Sequence, residues 1–176
     1  MFNEQLTKRR KEVILRPIIL CAYLVTCTIL FPAHAYCQDS IEGSMTAYRV
    51  TFDEKGVALF EKTDNIAPGD MIEYRILYEN KGGNAFKNLK VDGPIPPYTH
   101  YVGNSDSSNV QYTLLVSIDH GNTWEPEPVK RIEQTSDSIQ KEVIIPPKKY
   151  THIRWLSEKP LASGETQEFV YRVNLE

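Results

Sequence analysis

The chain has 176 residues, with 20 Lys or Arg against 23 Asp or Glu, a formal net charge of −3. That length supports one domain with a proper core and is short for two. The acidic balance repels nucleic acid phosphates and anionic headgroups, so nucleic acid is set aside as a partner.

The first 35 residues do not read as fold. Lys8, Arg9, Arg10, Lys11 and Arg16 make a basic start, an apolar run follows from Pro17 to Phe31, and Ala33-His34-Ala35 offers small residues where a signal peptidase reads. Residues 1–35 are therefore expected to be a signal peptide, and residues 36–176 one domain placed outside the cytoplasm, in the periplasm, on the cell surface or released. The apolar run falls short of the roughly 20 residues that cross a bilayer core, so the membrane enters only through an uncleaved signal kept as an anchor. Leu24-Val25-Thr26-Cys27 is a poor lipid-attachment box, because Thr26 is large and the apolar run continues past the cysteine. Cleavage after Ala35 leaves 15 Lys and Arg against 21 Asp and Glu, a charge of −6. Cys21 and Cys27 leave with the signal. Only Cys37 remains, so the domain has no internal disulfide and its core must hold unaided.

Along the rest, period-two alternation recurs between turn signals, and helical periodicity is nearly absent. Thr46 to Phe52 and Val57 to Phe60 are weak strands, followed by a turn at Ala67-Pro68-Gly69-Asp70. Met71 to Asn80 places Ile72, Tyr74, Ile76 and Tyr78 on one face and Glu73, Arg75, Leu77 and Glu79 on the other, the pattern of a half-buried antiparallel strand. A turn at Asn80-Lys81-Gly82-Gly83 precedes a strand over Phe86 to Val91, and Gly93-Pro94-Ile95-Pro96-Pro97 ends it. Tyr98 to Val102, Val110 to Ile118, Ile139 to Ile145, Ile153 to Leu156 and Gln167 to Leu175 complete the set. Gly103 to Ser108 and Gln134 to Ser138 read as loops, and Pro146-Pro147 and Ala162-Ser163-Gly164-Glu165 as turns. Seven to nine short strands with regular turns predict an all-β chain, an antiparallel β-sandwich whose core includes Tyr74, Ile76, Trp155 and Tyr171.

From Ile66 to Val102 the pattern is more particular. A Pro68-Gly69-Asp70 turn opens a strand bearing Tyr74 and closing on Asn80; Gly82 turns the chain; a second strand ends in Val91-Asp92, with Pro94 and Pro96 in the next turn and Tyr101-Val102 beyond. The segment resembles the bacterial "domain of unknown function 11" repeat, an immunoglobulin-like sandwich, and Ile153 to Leu175 resembles that family's last two strands, with Ser163-Gly164-Glu165 as the matching turn. The resemblance implies an immunoglobulin-like fold and an extracytoplasmic setting, and no activity. The family usually occurs as tandem repeats, whereas one copy is read here, and no wall-anchoring tail is read after Leu175.

Ser117-Ile-Asp119-His-Gly121-Asn-Thr123-Trp124 resembles the Asp-box of sialidases and other repeat-built glycan enzymes. In such a box the carboxylate accepts backbone N–H bonds that the turn leaves open. Asp119 takes that role, Gly121 the positive-φ position, Ser117 and Thr123 give supporting hydroxyls, and Trp124 covers the hairpin. A propeller needs several blades, which 141 residues cannot build. The box is accordingly read as structural, together with Pro68, Gly69 and Asp70. Exposed Trp124 and Tyr112 keep a carbohydrate-binding module as an alternative.

Other chemistry is weakly signalled. His100, His120 and His152 stand alone in sequence, without His-x-x-x-His or Cys-x-x-Cys spacing, so no metal is expected. Asp106 and Asp119 lie in no Asp-x-Asp-x-Asp-Gly calcium loop. No Gly-x-Ser-x-Gly elbow and no phosphate-cradling glycine loop are present. Glu125 and Glu127 flank Pro126 and read as a solvated acidic rim. Lys148-Lys149 is read as blunting an edge strand against aggregation. The expectation is an exported, non-enzymatic sandwich without cofactor or metal. Its role is structural, adhesive or protein-binding at the cell envelope, with another envelope or surface protein as partner. A carbohydrate-binding module and a small secreted hydrolase are the alternatives.

Overall fold

The computed structural model describes residues 40–134 and 140–176. The expected signal peptide, Cys37 and most of the Gln134 to Ser138 loop lie outside the described residues. In chain order the strands are β1 (Ile41–Phe52), β2 (Ala58–Glu61), β3 (Met71–Asn80), β4 (Lys90–Pro94), β5 (Thr99–Tyr101), β6 (Ser107–Ser108), β7 (Tyr112–Ser117), β8 (Glu125–Pro126), β9 (Lys130–Gln134), β10 (Gln140–Ile144), β11 (His152–Ser157) and β12 (Thr166–Leu175). Each of the nine expected strands has a counterpart, Tyr98 to Val102 shortened to β5, and β6, β8 and β9 are additional, β6 falling in the expected Gly103 to Ser108 loop.

The strands make an antiparallel β-sandwich. One sheet has the order β2-β1-β3-β12-β5, with β6 also on β12; the other is β4-β11-β7-β8; β9 and β10 form a separate hairpin. The alternation in β3 and β12 sets the first sheet's inner face: Ile72 and Ile76 from β3, and Phe169, Tyr171 and Val173 from β12, are buried. The facing sheet contributes Val91, Val116, Ile153 and Trp155. Trp155 joins the two, its ring 5.8 Å from Phe169 and 5.7 Å from Tyr171 between centroids. Tyr171 in turn stacks on half-buried Tyr74 at 5.1 Å. Its hydroxyl crosses the sandwich to donate to the Pro94 carbonyl at 2.6 Å. Burial pushes that phenol's pKa up, which keeps it a donor. The Trp155 indole N–H is buried without a partner, an opposing cost outweighed by ring burial.

A second anchor is polar. Asn80 is buried at the end of β3; its Nδ2 donates to the carbonyls of Asn84 at 2.7 Å and Leu161 at 2.9 Å, and its Oδ1 accepts from the Gly82 N–H at 2.9 Å. One side chain thus closes the turn after β3 and ties it to the segment before β12. The Pro68-Gly69-Asp70 turn is closed in a similar way: Asp70 Oδ2 accepts from the Ala67 N–H at 2.8 Å, Gly69 has φ +89°, and its N–H donates to the Leu175 carbonyl.

Four sequence expectations change. The strand predicted over Phe86 to Val91 begins only at Lys90, Phe86 making one isolated bridge to Leu161. It runs on through Gly93 and Pro94, which were expected to turn. Because β4 is an edge strand, the donor Pro94 lacks costs no ladder bond, and Gly93 leaves room for the aromatic core. Glu73, expected on a solvated face, is buried: Arg75 grips its Oε1 at 2.7 Å and Arg172 its Oε2 at 2.8 Å, while Arg75 also lies over the rings of Tyr48 and Phe60. Lys148 and Lys149 sit in a 3-10 turn (Pro147–Lys149) and not on an edge strand, because Pro146-Pro147 has already ended the extended run.

The tightest point of the core gives a test. A Cβ on Gly93 would lie 3.0 Å from ring atoms of both Trp155 and Tyr171 and 3.1 Å from Ile153. Gly93→Ala is expected to lower unfolding free energy by about 1 to 3 kcal/mol in urea melts, the usual cost of overpacking.

Candidate functional site

The Asp-box-like loop joins β7 to β8 and is held by its own polar atoms. Asp119 Oδ1 accepts from the Ser117 hydroxyl at 2.7 Å and the Thr123 N–H at 2.9 Å, and Oδ2 accepts from the Thr123 hydroxyl at 2.6 Å. Ser117, itself buried, accepts from the Gly121 N–H at 2.9 Å. Gly121 has φ +83° and His120 φ +61°, so two consecutive left-handed residues reverse the chain. The His120 N–H donates to Thr151 Oγ1 at 3.0 Å, and that hydroxyl donates to the Ser117 carbonyl, which ties the loop to the entry of β11. These donors hold the Asp119 carboxyl at a pKa of about 2, the Thr123 hydroxyl and amide acting most strongly, then Ser117.

The aromatic residues expected as a sugar platform are engaged. Trp124 is half-buried; the Arg154 guanidinium lies 3.8 Å from its ring centroid, and His152 meets its edge. Arg154 is itself fixed by a two-pronged pair with Asp92 at 2.6 and 2.7 Å. The Tyr112 hydroxyl donates to Asp106 Oδ2 at 2.8 Å. Neither ring is the freely displayed surface that sugar stacking requires.

Beside the loop lies a cavity of about 460 Å³, walled by the Pro94 to Thr99 turn, His120 and Tyr150 to His152. Tyr98, at φ +62° and 80% exposed, stands on its rim. Thr99 donates its hydroxyl to the Pro96 carbonyl, and Thr151 is occupied as described. The wall holds no carboxylate; it offers apolar surface and two imidazoles, and the buried His152 Nδ1 has no hydrogen-bond partner. His100, the third histidine, is elsewhere, 4.0 Å from Glu176. No three His, Cys, Asp or Glu converge on a point among the described residues.

A cluster that sequence reading missed lies where β5, β7 and the segment after β8 meet. Asp106 accepts from Tyr101 at 2.6 Å as well as from Tyr112, and Tyr101 stacks on Tyr150 at 6.2 Å. Glu127 reaches the Tyr150 hydroxyl and faces Asp106. Glu125 and Glu127 therefore do not form the solvated rim expected of them. Glu125 pairs with Arg131 at 2.5 and 2.7 Å, whereas Glu127 is half-buried, and burial followed by the Asp106 charge raises its carboxyl pKa. No spacing signal joins these residues, because Asp106 and Glu127 meet only once the strands have paired.

No family model matches the chain, and no curated protein matches it. Among solved structures, the chain is similar to a Corynebacterium diphtheriae protein whose crystal structure carries the provisional description of a membrane anchored protein. The TM-score is 0.46 at 11% identity, over 78% of this chain and 28% of that one, so the chain spans under a third of that protein's length.

Two carboxyls titrate with opposite sign. Asp119 sits below its ordinary 3.8, so its contribution is present above about pH 4 and disappears as pH falls towards 2. Asp119→Ala is expected to melt below the parent at pH 7, the gap closing over that interval in thermal melts, with Asp119→Asn falling between them. Glu127 sits above its ordinary value of 4.5, so its ionised form opposes folding. Glu127→Gln is expected to melt above the parent at pH 7, and the gain should vanish once the pH drops below about 4.5.

Proposed function

We propose that this chain is an exported, non-enzymatic sandwich akin to the "domain of unknown function 11" repeats, acting at the cell envelope as a structural or adhesive module that docks on another surface protein. Its polar loop atoms support the non-catalytic reading: Asp119, Ser117, Thr123 and Thr151 bond to one another or to backbone, and Asp106 and Glu127 to tyrosines. Among the described residues, no serine, threonine or cysteine beside the cavity is hydrogen-bonded to a histidine or carboxylate that would activate it.

The observation that carries the docking role is the hairpin of β9 and β10. It pairs with neither larger sheet, and its register places Lys130, Ile132, Glu142 and Ile144 on one face. Ile132 is 71% and Ile144 57% exposed, beside a Lys130–Glu142 ion pair of 2.9 Å. Two exposed β-branched apolar side chains at opposite corners of the hairpin face, with the Lys130–Glu142 pair between them, fit a partner that presents apolar contacts around a polar centre. The hairpin root is fixed by buried Val129, whose carbonyl accepts from the Ile145 N–H.

A photo-reactive residue in place of Ile132, expressed in the native host, is expected to cross-link to one envelope protein. Ile132→Asp with Ile144→Asp should abolish recovery of that protein with the chain, and the melting temperature should stay unchanged. Cross-linking that is equally strong from exposed Lys55, on the β1–β2 turn, would contradict hairpin docking.

A further inference from the structure

The margin of the first sheet carries a different contact. Strand β1 pairs with β3 from Ile41 to Val50, but on its other side β2 covers only Arg49 to Phe52. Among the described residues, no strand lies beside Ile41 to Tyr48 on that side, so alternate N–H and C=O groups there point outward unpaired. Natural edges are protected by lysines, prolines, bulges or shortness. This one has no lysine or proline: Glu42 is its one charge before Arg49, Gly43-Ser-Met-Thr-Ala-Tyr48 has none, and β1 is 12 residues long. Met45 lies opposite Ile76, on the face that is buried further into the sheet, yet is 49% exposed.

We infer that the free edge of β1 pairs antiparallel with the same edge of a second copy of this chain, about a two-fold axis at Ser44. This goes beyond docking through the hairpin and uses another surface. The axis position follows from the strand's own geometry. A two-fold that keeps one continuous sheet must place residues of the same face opposite each other, so it passes through a residue and not between two. Centred on Ser44, the pairing runs from Ile41 to Ala47 of each chain and stops before β2 takes the edge at Arg49. Centred on Met45 or beyond, it would bring Ile41 of one copy opposite Arg49 or later, into the lane that β2 occupies.

Side chains agree with this register. Met45 of each copy falls opposite Gly43 of the other, which the Tyr78 ring covers, 3.0 Å from where a Cβ would stand. A thioether against an aromatic ring is a favourable contact. On the other face Ser44 meets Ser44, and Glu42 meets Thr46. The one acidic residue of the pairing stretch is neutralised within its own chain, since Lys81 lies 2.6 Å from Glu42 and 3.8 Å from Glu79. Each copy therefore brings Glu42 to the seam already paired with a lysine, which it shares with Glu79.

The test uses the full chain, expressed with its own leader and purified from the envelope fraction in mild detergent. Sedimentation velocity should give twice the chain mass, and Thr46→Pro and, independently, Met45→Lys should each give the single-chain mass with an unchanged circular dichroism spectrum. In a Cys37→Ser background, Ser44→Cys should form a disulfide-linked dimer under mild oxidation, because opposed antiparallel residues lie about 4.5 to 5.5 Å apart at Cα, within disulfide reach. Thr51→Cys, on the stretch covered by β2, should not. A single-chain mass for the parent, a dimer that survives both edge variants, or the absence of a Ser44 cross-link would overturn the inference. None of these outcomes bears on the hairpin, whose partner is read by cross-linking at Ile132.

Discussion

Trp155 against Phe169 and Tyr171 is the contact on which the sandwich depends. The domain as read from sequence has no disulfide to fall back on, so the two sheets are held by ring packing and by what that packing permits. Burying aromatic residues of this size contributes several kilocalories per mole each, about 3 to 5 kcal/mol when one is truncated to alanine. Gly93 makes the packing possible, because a single methyl group there would collide with two rings and an isoleucine. The Tyr171 hydroxyl then reaches the Pro94 carbonyl beside it, so the same small region joins the sheets by dispersion and by a hydrogen bond.

The polar residues follow the same economy. Asn80 closes a turn with three bonds, Asp70 holds the entry to β3, and Asp119 holds the turn between β7 and β8. A carboxylate that accepts several donors prefers its charged form, and Asp119 is held near the acid end of its range for that reason. Such a group is poorly suited to taking up a proton near neutrality. The loops are thereby closed by their own atoms, and two margins stay open among the described residues: the exposed isoleucines of the β9–β10 hairpin and the outer edge of β1.

Local pattern carried much of this into the sequence. The alternation of Ile72 to Tyr78 and of Phe169 to Leu175 was enough to place β3 and β12, and the Ser117 to Trp124 spacing identified the loop and its glycine. Features set by pairing between distant segments were not legible. Glu73 reads as a surface carboxylate until Arg172, 99 positions away, arrives from β12. Glu127 reads as a rim until Tyr150 and Asp106 close over it. Strand β9 has only one strong β-former at its centre, Ile132, and forms because β10 pairs with it. Lys90 to Pro94 contains the residues that usually break strands, and only an edge position beside Trp155 makes that composition a fit.

The domain divides into an internally satisfied frame and open margins. Native-state amide hydrogen exchange resolved by residue tests this division most directly. Amides of β3, β11 and β12, and the Thr123 amide held by Asp119, are expected to exchange only through global unfolding, while those of the β9–β10 hairpin exchange orders of magnitude faster through local opening. A Thr123 amide that exchanges as freely as the hairpin, or a hairpin protected as strongly as β11, would contradict it.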